Sequence, residues 1–509
     1  MMCTEPANLR SQVRMTRTLA QFASLCGGQL HGSTMHGVGS VATDLPYIGV
    51  VIDSRKVARG DLFLALPGEH VDGHDYVGAA ALAGAAGAVV ARLVPAALPQ
   101  IVVADVASAL ATAGGVWRTR FAGPVIGVAG SNGKTTTKEM LAAILAECGP
   151  CLATQGNLNN HLGVPLTLLR LNETQVCAVI EMGANRAGDV ADLAAIAKPN
   201  VGLITNAGAE HLEGFGTLEG VARAEGEMVA GLGQSDVAVI NADDVYADLW
   251  RGLTRARVMS FGTSLDADVR AVDIRLEISA QGFLTHFRLH CRAGRPATAT
   301  TATGTAAAAV AAAEVPVTLA VAGRHNVLNA LAAAAAALAV GVTLEQVATG
   351  LAKMRAVAGR LQFKALAGGA WLIDDSYNAN PSSVEAALAV LAEVPGERWM
   401  VLGDMAELGD HAAVSHRDIG HKARQLGVAR LFTFGVLAAL AAPTFGVDAE
   451  SYTDIEALVH AVRARLGASR ARHEVRVLVK GSRVNRLERL VTMLTDVPTP
   501  PATPARRAT

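Results

Sequence analysis

The residues best equipped for chemistry lie in one decapeptide, Gly127-Val128-Ala129-Gly130-Ser131-Asn132-Gly133-Lys134-Thr135-Thr136. Its glycines let backbone N–H groups close around an anion. The helix expected over 135–147 adds the positive potential of its N-terminus, and the apolar run 125–129 supplies the strand that leads in. In such a loop Lys134 reaches the β and γ phosphates of a nucleotide and the Thr135 hydroxyl can hold Mg²⁺. Gly130, Ser131, Asn132, Gly133 and Thr136 line the same anion. The strict pattern asks for glycine at 128, where this chain has Val128, so Gly130 supplies the flexibility closer to the lysine.

Two more candidates follow at the ends of later strands. Apolar runs at 176–180 and 201–205 read as buried parallel strands, and Glu181 and His211 come just after them. Open parallel sheets bind ligands beyond the carboxyl ends of their strands, so both side chains can face the loop. Mg²⁺ prefers carboxylate oxygen, which makes Glu181 a natural ligand and His211 a less usual one.

Positioning these groups requires an α/β fold, and the chain reads as three domains. Residues 1–14 form an extension. A small α/β unit spans 15–112, with a helix over 77–87 and strands at 87–91 and 101–104. A central doubly wound, mostly parallel sheet carries the phosphate loop over 113–350, with a further strand at 237–240. A Rossmann-like unit covers 351–496, with strands at 371–373, 399–402, 431–434 and 475–479. After Gly262 the pattern alternates with period two, as at Phe287 and Leu289. The Ala/Thr run 296–313 reads as a surface insertion, and the Pro/Thr/Arg tail 497–509 as disordered.

Bulk properties narrow the function. Lys plus Arg number 44 against 45 Asp plus Glu, so no strong field draws in nucleic acid. The apolar run 330–342 is shorter than the ~20 residues of a spanning helix and reads as a buried helix. No secretory signal is visible, and the expected compartment is cytoplasmic. Cys148-Gly149-Pro150-Cys151 has redox-motif spacing but follows a helix instead of opening one, which disfavours thiolate and reads as a turn. His70 and His74 flank an expected turn, and His411 and His416 an expected polar helix edge; none is assigned a metal.

The loop, Glu181-Met182-Gly183-Ala184-Asn185 and His211-Leu212-Glu213-Gly214-Phe215-Gly216 together resemble the central domain of the Mur ligases, which join an amino acid or dipeptide to a UDP-sugar peptide. Asp53-Ser54-Arg55 is similar to that family's UDP-binding domain, and Gly156-Asn157-Leu158-Asn159-Asn160 to its substrate loop. Arg324-His325-Asn326-Val327-Leu328-Asn329 is similar to its ATP-contacting helix start. Gly359-Arg360, Asp374-Asp375-Ser376-Tyr377-Asn378-Ala379-Asn380-Pro381, Leu402-Gly403-Asp404-Met405 and Lys480-Gly481-Ser482-Arg483 resemble its third domain, most closely in the branch that adds D-alanyl-D-alanine. Residues before Met15 have no counterpart, which makes Met15 an alternative start.

The resemblance implies a monomeric ligase that uses ATP and Mg²⁺, activates a UDP-muramoyl-peptide carboxylate as an acyl phosphate, and passes it to an amine. It implies Asn326, Asn329, Arg360 and Asp375 as ATP contacts, and Ser54, Arg55, Asn157, Asn160, Tyr377, Asn378 and Asn380 as substrate contacts. Arg360 and Asp375 would reach the nucleotide on domain closure, with hinges near Gly350 and Gly359. One position departs from the family: Glu225 stands where a carbamoylated lysine is usual. It reads either as a ready-made carboxylate for a second Mg²⁺ beside His211 or as an exposed helical acid. The alternatives are a sibling ligase adding a diamino acid, a folate polyglutamate ligase, and a nucleotide-binding regulator without catalysis.

Overall fold

In the computed structural model the described residues are 17–32, 45–68, 71–210, 212–279, 282–292, 313–469 and 472–496. The extension 1–14, the tail 497–509, His70, His211 and all of the Ala/Thr run except Ala313 lie outside them.

Among the described residues twenty strands build three sheets. The first contains β1 (Gln29–His31), β2 (Val50–Val51), β3 (Leu62–Leu64), β4 (Gly87–Val90) and β5 (Gln100–Val102) in the order β1-β5-β4-β3-β2, parallel except for β1. The central sheet holds β6 (Val125–Ala129), β7 (Cys151–Ala153), β8 (Cys177–Glu181), β9 (Val201–Ile204), β10 (Val237–Asn241), β11 (Arg257–Gly262), β12 (Val269–Ser279), β13 (Gly282–Cys291) and β14 (Ala313–Leu319). Its order is β14-β13-β12-β11-β10-β9-β6-β8-β7, parallel from β7 through β12 and antiparallel in the hairpins beyond. The third sheet holds β15 (Gln362–Ala365), β16 (Trp371–Asp375), β17 (Glu397–Gly403), β18 (Arg430–Phe434), β19 (Ala449–Tyr452) and β20 (Val475–Lys480) in the order β15-β16-β20-β17-β18-β19, with β15 alone antiparallel.

The all-apolar strands are those with helices on both faces. β6, β8 and β10 are buried at every residue, as a parallel sheet covered on two sides demands. Strand β6 lies between β8 and β9, so chain order reverses there and a crevice opens above its carboxyl end. The phosphate loop leaves β6 at that point.

The alanine run is a helix, Arg324–Ala339, buried from Asn329 to Ala339. It packs against the helix Lys134–Leu145, and alanine side chains let the two backbones approach. The helix Leu344–Lys353 joins them, and a Cβ on Gly350 would lie 2.4 Å from the Ile144 backbone. Gly350 is therefore a close-packing glycine and not the expected hinge. Gly359, at φ +69° between the central and third sheets, keeps the backbone freedom a hinge needs.

The expected break at 112 falls inside the helix Val106–Arg118. One face of that helix packs on the first unit through Leu19–Cys26. Another meets the central unit through Gly163–Leu168 and Asp189–Ala197, so one apolar core runs through both units. Edge strands β1, β2, β7, β15 and β19 were not legible because two to four residues carry too little periodicity. His416 departs from expectation: it is fully buried, its Nε2 accepting from the Met405 N–H at 2.9 Å. Cys148 follows the end of helix Lys134–Leu145 and Cys151 opens β7, as the turn reading requires. Among the described residues no helix is long and apolar enough to cross a membrane.

Candidate active site

The loop between β6 and helix Lys134–Leu145 is held open by two glycines with positive φ. A Cβ on Gly130 (φ +119°) would sit 2.1 Å from Thr205 Oγ1, and one on Gly133 (φ +83°) would sit 2.2 Å from Asn329 Oδ1. Backbone thus passes where no side chain fits. Residues after β9 fix the loop from the side: Asn206 Oδ1 accepts from the Asn132 N–H at 3.0 Å, and Thr205 Oγ1 donates to Asn132 O at 2.7 Å.

Lys134 curls back over its own loop, donating to Gly130 O, to Ser131 O at 3.2 Å and to Glu210 at 3.3 Å. Burial alone would depress this ammonium, but Glu210, Glu225 and Glu181 hold its pKa above the ordinary lysine value. Glu210 is pushed up to about 7 by burial, against the pull of Lys134. Glu225 comes from the inner face of helix Leu218–Ala230 and accepts the Gly130 N–H at 2.6 Å. At 1% exposure it cannot be an exposed helical acid; it braces the loop from beneath.

Glu181, at the end of β8, accepts from Asn159 Nδ2 at 2.9 Å and from Thr135 Oγ1 at 3.3 Å. Its other oxygen is buried without a hydrogen bond, the nearest cation being Lys138 at 3.9 Å. Buried carboxylate oxygens are normally satisfied, so this carboxylate, with one oxygen on a threonine hydroxyl and the other an orphan, suits a divalent cation. Among the described residues no three His, Cys, Asp or Glu side chains form a ready-made metal cage. Mg²⁺ takes one or two carboxylates and completes its shell with phosphate oxygens and water.

The third sheet supplies the opposite wall. Asp375, ending β16, pairs with Lys480, ending β20, at 2.6 Å, and Lys480 also donates to Asn378 O at 3.0 Å. Arg360 stacks 4.4 Å above the Tyr377 ring, its Nε buried without a partner. Asn380 Nδ2 donates to Asn132 Oδ1 at 2.8 Å and Asn132 Nδ2 to Ser382 Oγ at 3.0 Å, so the third unit touches the phosphate loop directly.

Two chambers meet along the loop and Arg360. One, of about 310 Å³, is lined by apolar Phe261, Leu328, Met354 and Val357 together with His325, Asn326, Asn329, Asp375 and Lys480. The other, of about 590 Å³, is polar and holds Lys134, Thr135, Glu181, Glu210, Asn157, Asn160, Tyr377, Asn378, Asn380 and Arg483. Every described candidate except Ser54, Arg55, Gly130 and Glu225 lines one chamber or the other. Ser54 and Arg55 start a 3-10 turn on the first unit, where Arg55 is exposed and paired with Asp53 at 2.9 Å. Glu210, Asn159, Lys138, Lys480 and His325 carry interactions that sequence reasoning did not assign. Four sat in the quoted motifs or beside them, but spacing does not reveal which carboxylate meets which ammonium.

Burial pulls His325 down to about 4. A histidine whose folded pKa lies below its unfolded value costs stability as pH falls from about 6.5 toward 4, because only the unfolded chain then gains the proton. His325→Phe is expected to shrink the drop in melting temperature between pH 7 and pH 5, measured by calorimetry. An unchanged drop would place the acid sensitivity elsewhere.

Comparison with known proteins gives matches along most of the chain. Residues 46–113 match the model of the Mur ligase family catalytic domain, 128–337 the Mur ligase middle domain, and 359–483 the Mur ligase glutamate ligase domain. The UDP-N-acetylmuramoyl-tripeptide–D-alanyl-D-alanine ligase of Escherichia coli K12 is 38% identical over 94% of this chain and 98% of its own. Its Mycobacterium tuberculosis H37Rv namesake is 36% identical over 85% and 86%. The crystal structure of MurF from Acinetobacter baumannii superposes with a TM-score of 0.82 at 34% identity, covering 95% of this chain and all of that one. MurF from Thermotoga maritima, solved in complex with ADP, gives 0.73 at 26% identity, covering 88% and 97%.

Proposed function

The chain belongs to the Mur ligase family, and from that premise we propose that it joins D-alanyl-D-alanine to the peptide carboxylate of a UDP-N-acetylmuramoyl-tripeptide at the expense of ATP. The observation that carries the reading is the phosphate loop shared by an apolar, nucleoside-sized chamber and a polar one. A γ-phosphoryl group bound there lies at the mouth of the polar chamber, where a peptide carboxylate can receive it.

Amide formation in water needs an activated acyl group. Transfer of the γ-phosphoryl to the carboxylate releases ADP and gives an acyl phosphate; the amine nitrogen then attacks the acyl carbon, and phosphate leaves as the amine loses its proton. Lys134 and the loop N–H groups would neutralise the phosphoryl oxygens. Thr135 and Glu181 are the residues to hold Mg²⁺, which when bound supplies further positive charge at those oxygens. A second cation at His211 and Glu225 belongs to the same proposal, with Glu225 already oriented by Gly130.

Asn326, Asn329 and Asp375 would hold the nucleoside and Arg360 the phosphates. Asn157, Asn160, Tyr377, Asn378 and Asn380 would hold the peptide and the amine, and Ser54 and Arg55 the UDP end. The contact of Asn380 and Ser382 with Asn132 supports a closed arrangement that keeps water from the acyl phosphate. The use of ATP and a UDP-sugar supports a cytoplasmic setting.

The test is phosphate release with ATP, Mg²⁺ and UDP-muramoyl-tripeptide, with and without the dipeptide. Release that requires D-alanyl-D-alanine, matched by a UDP-pentapeptide mass, is expected. Release with a diamino acid and not the dipeptide would reject the dipeptide assignment.

A further inference from the structure

We propose that Glu210 serves two cations in turn: it holds Lys134 while the loop is empty, and receives the ammonium group of the incoming amine once nucleotide phosphates have taken the lysine. The second half rests on the ligase reading above; the first does not.

The Lys134–Glu210 pair is enclosed, with side chains 15% and 12% exposed. Gly130 O, Ser131 O and Glu210 give the lysine an acceptor for each of its three protons, so its ammonium is turned inward and saturated. A phosphate can engage Lys134 only by exchanging with one of these partners. Glu210 is the one that does not belong to the loop backbone, and it lies on the wall of the polar chamber.

Exchange strands a charge. Three carboxylates, Glu181, Glu210 and Glu225, share the field of this one lysine. Glu225 keeps the Gly130 N–H, and Glu181 keeps Asn159 and Thr135, with Lys138 behind it. Glu210 loses its cation, and a buried carboxylate without one must take up a proton or find another cation. The amine substrate carries a cation, and its nitrogen must come within bonding reach of an acyl carbon attached to the phosphate on Lys134. Glu210 stands beside that point. Arg483, over Tyr377 on the facing wall, offers the complementary charge for the carboxylate end of a zwitterionic dipeptide.

Glu210→Gln keeps the shape and removes the charge, so the two halves predict opposite shifts. Calorimetric titration with a non-hydrolysable ATP analogue should give several-fold tighter binding, because the competitor for Lys134 has gone. The KM for D-alanyl-D-alanine should rise about tenfold or more, as when one partner of a close charge pair is lost. Glu210→Asp should recover much of that KM. Unchanged or weaker nucleotide binding would overturn the first half. An unchanged dipeptide KM, or an effect confined to the Mg²⁺ concentration required, would overturn the second. Product analysis with the unaltered protein separately decides the ligase reading, and the nucleotide titration needs no amine.

Discussion

Replacing Lys134 by methionine is expected to lower turnover about a thousandfold, the scale on which removing a preorganised donor to developing charge acts. Lys134 is the cation that the three carboxylates around the loop share, and under the proposed function it is the group that meets the transferred phosphoryl. Its loss removes phosphate stabilisation and leaves Glu210, on the wall of the polar chamber, without its cation. The same variant should therefore show no rise in melting temperature with ATP and Mg²⁺, where the unaltered protein is expected to show one. Steady-state phosphate release and a thermal shift with and without nucleotide check both parts. A variant that keeps a tenth of the activity would show that the loop amides and metal suffice.

The largest expected loss of stability comes from Lys480→Met. Burial draws the Lys480 ammonium below its usual pKa while Asp375, at 2.6 Å, opposes the shift. The two side chains are 2% and 10% exposed, so removing the lysine strands a buried carboxylate, at a cost of about 3–5 kcal/mol. Lys480 also ties down Asn378 O, and through it the segment that carries Tyr377, Asn378 and Asn380 into the polar chamber. Urea unfolding should show an earlier transition for the single variant, and adding Asp375→Asn should restore most of the midpoint. If the double variant is no more stable than the single one, the destabilisation arises from packing and not from the stranded charge.

The phosphate loop was legible because every part of its function is local. A strand, two glycines at fixed spacing and a helix start suffice to place N–H groups around an anion, and Gly130 and Gly133 have the positive φ that such a loop needs. The strands beneath it were legible as apolar runs. Glu181 and Thr135 could be paired on the rule that parallel strands present their carboxyl ends to one crevice, and they lie 3.3 Å apart.

Glu225 shows where that reasoning stops. The helical pattern of 218–230 fits either an outward acid or an inward one, and burial is a property of what packs against the helix. His416 was assigned to an exposed edge for the same reason. Gly350 was taken for a hinge because glycine permits both flexibility and close approach, and only the Ile144 backbone behind it distinguishes the two.

By itself, then, the sequence determined the α/β class, the three units, the glycine loop between strand and helix, and the family, because each is written in short-range spacing or in motifs carried whole. The tertiary structure decided which charges meet. Lys134 finds Glu210 across 76 positions and Lys480 finds Asp375 across 105. Over such separations the partner is selected by how strands stack side by side, and that depends on the packing of all three sheets at once.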